Sequence, residues 1–124
     1  MTSQVFLEAL TRQDEVIVTS REGQRERSVR AWYAVAPPAT IYLFAESFSL
    51  RVGRWRTDPW VRLTVPGGGP SIEGRVRAVS ADELDDEVIP LIQERWGMWG
   101  ATTSEGLRRM LRDRSHVLFR VEVP

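Results

Sequence analysis

Ser47, Ser49 and Arg51 stand at alternate positions in a short stretch that follows the apolar run Ile41 to Ala45 and precedes an arginine-bearing segment broken at Asp58-Pro59. Two hydroxyls, a guanidinium and the free N–H groups of a helix start can face a single bound anion. A phosphate is the expected occupant. A plainer reading stands beside it, in which Arg51, and Arg27 upstream, are solvated charges paired with nearby acids.

Other chemistry is narrower. The 124-residue chain has no cysteine, which removes disulfides, zinc-thiolate sites and thiol nucleophiles. All 17 basic residues are arginine, so lysine Schiff bases are absent, and 17 acids bring the formal net charge to zero. A balanced chain sets up no global field for nucleic acid. Codon preference explains the arginine-only usage more simply than selection for planar donors. His116 is the single histidine, and with no second candidate ligand nearby it reads as structural rather than catalytic or metal-bound. The acids Asp82, Glu83, Asp85, Asp86 and Glu87 read as a solvated helix start, not a metal site. The N-terminus lacks signal-peptide features and no apolar run approaches the ~20 residues of a membrane span, so a soluble, cytoplasmic protein without a membrane partner is expected.

The elements that must position these residues fit about one domain, residues 1–124. Gln4 to Thr11 has helical spacing of Val5, Phe6, Leu7 and Leu10 and should cover the end of a sheet or barrel. Strands are expected over Glu15 to Ser20 and Glu26 to Val35, joined by a polar hairpin in which Gly23 takes positive φ. Ser28, Arg30 and Trp32 then share one face, and Val29, Ala31 and Tyr33 the other. After the Pro37-Pro38 turn come a strand over Ile41 to Ala45, a helix over Ser49 to Thr57, and strands over Trp60 to Val65 and Ser71 to Val79. Ser80 and Glu83 form a capping box for a helix from Ala81 to Trp96, kinked at Pro90. Thr102 and Glu105 suggest a second short helix, and His116 to Val123 alternates as the last strand. Trp32, Tyr33, Trp55 and Trp60 read as core and interface fillers, while Trp96 and Trp99 suit either burial or cover over a ligand or partner subunit. Six strands with short antiparallel connections and inserted helices make a small β-barrel of α+β, mainly β, character.

The order of motifs resembles the pyridoxamine 5′-phosphate oxidase-like family of FMN-binding split β-barrels. The resemblance rests on Arg27-Ser28-Val29-Arg30-Ala31-Trp32-Tyr33, Ile41-Tyr42-Leu43-Phe44, Ser49-Leu50-Arg51-Val52, Asp58-Pro59-Trp60-Val61 and Ile72-Glu73-Gly74-Arg75-Val76, and covers about Glu15 to Ser80. It implies a six-stranded antiparallel split barrel with short flanking helices. It also implies an FMN phosphate near Arg27, Ser49, Leu50 and Arg51, with the flavin ring and ribityl chain against Ser28, Val29, Arg30, Phe44 and Ala45. Three positions depart from the family pattern: Arg51 stands where lysine is common, Arg30 where proline or an apolar residue is common, and Trp55 where asparagine is common. Arginine for lysine preserves phosphate binding. A cation at Arg30 either excludes the ring or stabilises an anionic reduced flavin.

The resemblance implies an FMN-dependent oxidoreductase acting on a small-molecule substrate as a homodimer, with the cofactor between the subunits. Two alternatives stand beside it. One is a reductase using the deazaflavin coenzyme F-420, and the other is a non-catalytic dimeric module that carries flavin or haem, which Arg30 favours. The resemblance does not extend to the substrate-phosphate arginines of true pyridoxamine phosphate oxidases, so vitamin B6 oxidation is not expected.

Overall fold

The computed structural model describes residues 4–36, 40–47, 49–84, 89–91, 104–114 and 116–123. A helix, α1 (Gln4–Leu10), precedes three strands, β1 (Glu15–Glu22), β2 (Arg25–Ala36) and β3 (Thr40–Glu46). Then come α2 (Leu50–Thr57), β4 (Trp60–Thr64), β5 (Ser71–Val79), a 3-10 turn (Ala81–Glu83), α3 (Ser104–Arg112) and β6 (His116–Glu122). The strands close into an antiparallel barrel in the order β1-β2-β3-β6-β5-β4, with β4 returning to β1.

Period-two alternation decides which residues face inward. Val16 and Val18, Ala31 and Tyr33, Ile41 and Leu43, Val61 and Leu63, and Val117 and Phe119 meet in one buried cluster. Helices fill the ends. Phe6 and Leu10 of α1 and Val52 and Trp55 of α2 join the same cluster, and Trp55 meets Phe119 edge-on at 5.3 Å. Tyr33 donates from its phenol to the carbonyl of Leu10 or, at 2.6 Å, of Gln13, tying the end of α1 to the wall. Gly23 has the expected positive φ, +64, but the hairpin is tighter than expected: the strands run on to Glu22 and resume at Arg25, so a two-residue turn pairs Glu22 with Arg25 and hence Glu15 with Trp32.

A second buried cluster lies outside the barrel. Tyr42, Phe44 and Leu118 on the outer faces of β3 and β6 are covered by Leu84, Ile89 and Leu91, with Met110 and Leu111 of α3 packed against them. Here the start of the helix expected from Ala81 to Trp96 is corrected, and residues 92–96 lie outside the described residues. The capping box forms, with the Glu83 N–H donating to the Ser80 hydroxyl and the Ser80 N–H to Glu83 Oε1, but the turn ends after one 3-10 winding because Leu84 is extended, at ψ 118. Arg108 of α3 donates to the carbonyls of Ala81 and Leu84, the acceptors a continuing helix needs for its own N–H groups. Residues 89–91 are helical again. The expectations for Asp85 to Glu87, Trp96, Trp99 and Thr102 fall outside the described residues.

Trp60, expected as a core or interface filler, lies outside the barrel core. It sits on the outer face between Arg21 and Arg62, whose guanidinium carbons lie 4.6 and 5.6 Å from its ring, and it donates to Glu73.

Two outcomes follow. A Cβ at Gly74 would stand 2.7 Å from the Glu122 carbonyl oxygen and 3.1 Å from Val121, inside the β5–β6 seam. Gly74→Ala should therefore cost about 1–3 kcal/mol in urea unfolding, and an unchanged midpoint would refute the close approach. Glu83 is held by Arg77 at 2.7 Å and by Ser80, which lowers its pKa from 4.5 to about 2. A depressed carboxylate contributes its stability in full above pH 4.5 and loses it as pH falls through about 2. Over that window Glu83→Gln should lose less stability than the parent in urea melts taken at stepped pH.

Candidate functional site

The chain leaves β3 at Glu46 and enters α2 at Leu50, with Ser49 as the N-cap in an extended conformation. Ser49 does not cap with its side chain; its hydroxyl donates backward to the Glu46 carbonyl at 2.8 Å. Among the described residues no side chain caps the first turn of α2, and no acid stands in that turn. Arg51 reaches across to β2, where Nη1 donates to the Arg30 carbonyl at 2.9 Å. That bond ties the Arg51 guanidinium to the β2 backbone.

Together these residues line a cleft of about 310 Å³ with Glu15, Trp32, Phe44, Ala45 and Glu46. Strand register assembles it: Trp32 pairs with Glu15 on one side and with Phe44 on the other. Two arginines, a serine and two glutamates thus line the cleft with two aromatic residues. Among the described residues no carboxylate is within ion-pair distance of Arg30 or Arg51, although Glu15 and Glu46 share the cleft. Phe44 is backed by His116, ring over ring at 5.0 Å and 6°.

Of the residues singled out from the sequence, Arg30, Phe44, Ala45, Ser49 and Arg51 meet in this cleft. Five others do not line it. Arg27 lies toward the hairpin, 3.9 Å from Glu22, which is 3.8 Å from Arg54. Ser28 shares a hydrogen bond with Thr19 at 2.8 Å, and Val29 packs against the barrel core. Leu50 is 82% exposed and lines a separate hollow with Arg54 and Asp58. Ser47, expected to face the anion, instead donates to the Arg114 carbonyl. In that hollow Arg21 grips Asp58 at 2.9 Å and, with the Trp60 N–H, holds the carboxyl below its ordinary range. Glu15, Trp32 and Glu46 are the lining residues not singled out beforehand.

No family model matches the sequence, and no curated protein matches it either. Solved structures match over nearly the whole chain. A candidate pyridoxamine 5′-phosphate oxidase from Listeria innocua shares 16% identity, with 95% of this chain and 90% of that one covered and a TM-score of 0.61. The chain has the pyridoxamine 5′-phosphate oxidase-like split-barrel fold. An FAD-binding protein from Mesorhizobium loti has the same split barrel, at 18% identity, 99% and 88% coverage and TM-score 0.61. So does a haem storage protein from Vibrio cholerae, at 13% identity, 96% and 87% coverage and TM-score 0.68. No helix among the described residues is long and apolar enough to cross a membrane.

Proposed function

We propose that the cleft at the start of α2 holds the phosphate of FMN and that this split barrel is a flavin-dependent oxidoreductase acting on a small-molecule substrate. The observation that carries the reading is the convergence of Arg30, Ser49 and Arg51 on one cleft with the rings of Trp32 and Phe44. The donor set fits the group. A phosphate dianion wants charge-assisted donors, and Arg51 arrives already oriented by its bond to the Arg30 carbonyl, so less side-chain freedom is lost on binding. When bound, the isoalloxazine supplies the hydride- or electron-accepting centre. Arg51 holds the phosphate end, the Ser49 hydroxyl being committed to the Glu46 carbonyl, and Arg30 places a cation where it stabilises negative charge on the cofactor. The fold shared with an FAD-binding protein and a candidate pyridoxamine 5′-phosphate oxidase supports the choice of flavin.

The reading includes a homodimer whose second copy completes the site. One chain offers an open cleft of about 310 Å³, at the small end of ligand sites, and Trp32 remains only half-buried beside it. The deazaflavin coenzyme F-420 presents a phosphate to the same donors, and titration separates the two.

Ligand-stripped protein titrated with FMN, with F-420 and with haemin, followed by visible absorbance and fluorescence, should saturate with FMN at micromolar concentration or below. Arg51→Ala removes a charged hydrogen bond and should weaken FMN about 10- to 100-fold; an unchanged dissociation constant would remove Arg51 from the site. Sedimentation velocity should show a dimer with FMN bound, and a monomer binding at full affinity would overturn the shared site.

A further inference from the structure

On the β6 side of α2, sharing no lining residue with the cleft, lies a groove of about 460 Å³. Arg56 from the last turn of α2, Arg114 from the turn before β6, and His116 face it above an apolar floor that includes Val79, Leu111 and Val117. Among the described residues no carboxylate pairs with Arg56 or Arg114. Glu83 also lines the groove, but its oxygens are committed, Oε2 to Arg77 at 2.7 Å and Oε1 to the Ser80 N–H at 3.2 Å. Two like charges therefore share one groove without compensation.

Arg114 carries a second signal. Its φ is +59, and it is the non-glycine residue with positive φ among those described. It follows the C-terminus of α3, a position where glycine, or sometimes asparagine, is the inexpensive choice because a Cβ is crowded in the left-handed region. The Arg114 N–H donates to the Leu111 carbonyl at 3.3 Å, and Ser47 donates to the Arg114 carbonyl, so the conformation is held from both sides. The backbone there would fold more readily with glycine, yet the sequence places a guanidinium at the mouth of a groove that already has one.

We propose that this groove is a binding site for a small carboxylate with an apolar body. Planar guanidinium forks match a carboxylate, and the apolar side chains among the lining residues offer contact to the rest of the molecule. The ring of His116 lines the groove while its stacking partner Phe44 lines the cleft, so one two-ring wall separates the two hollows.

The single histidine makes the test direct, because its ring protons give one reporter in a proton NMR spectrum. The full chain, free of cofactor and at fixed pH, is titrated with sodium benzoate, with sodium chloride at matched ionic strength and with inorganic phosphate. The His116 resonance should shift saturably with benzoate and not with chloride. Arg114→Gly, relieved of its backbone cost, should melt no lower than the parent and bind benzoate about 10- to 100-fold more weakly, and Arg56→Gln should lose affinity as well. A benzoate response that merely follows the chloride response, or full affinity in both variants, overturns the site. Phosphate saturating at lower concentration than benzoate overturns the carboxylate assignment.

Discussion

A closed barrel has two open ends, and the burial of Trp55 in one of them sets the geometry of everything around α2. Trp55 is 1% exposed and Val52 sits beside it in the same core, so the inward direction of the helix is fixed. At 3.6 residues per turn, Arg51 and Arg56 then fall about 70° to either side of that direction. One flank delivers Arg51 to the cleft beside β2, and the other delivers Arg56 to the groove beside β6. The outward residues Gly53 and Arg54 turn instead toward the hairpin hollow. A helix of eight residues thus addresses three surfaces, and only its buried face is dictated by the hydrophobic effect.

Much of this arrangement was legible from the chain. A two-residue turn at Gly23 forces residue sums of 47 across the hairpin, so the facing of Glu15 and Trp32 was implicit in the sequence once the turn was placed. Alternation gave the barrel walls, and the resemblance supplied the split barrel. Legibility failed where a partner distant in sequence decided the outcome. The capping box at Ser80 is local and real, but the winding ends at an extended Leu84, and Arg108, 27 residues beyond Ala81, donates to the carbonyls left there. Ser47 has the right residue type for an anion site, and a carbonyl 67 residues away claims its hydroxyl. Trp60 looks like core by composition, and the strand parity that turns it outward acquires meaning only with Arg21 and Arg62 on either side.

The arginine-only basic set makes contacts that lysine would not reproduce. Arg77 uses Nε for Glu122 and Nη1 for Glu83, bridging β6 to the 3-10 turn. Arg108 spreads two nitrogens over two carbonyls, and Arg21 meets both oxygens of Asp58 while its plane lies against Trp60. Each depends on a rigid fork with several donors, or on a planar cation that stacks. Codon preference remains a sufficient reason for having arginines, but the fold has come to rely on their shape.

A net charge of zero conceals how unevenly that charge is compensated. Around the outer face of β1, β4, β5 and β6 the arginines meet acids directly: Arg21 with Asp58, Arg62 with Glu26, Arg77 with Glu83 and Glu122. Around α2 the pattern reverses, with Arg30 and Arg51 on one flank and Arg56 and Arg114 on the other, none held by a carboxylate among the described residues. Folding alone would favour neutralising those positions, since like charges gathered at a surface repel and gain nothing from one another. An exogenous anion on either flank would supply the partner that both proposals call for. Local compensation, rather than total charge, is therefore the quantity that points to function in this chain.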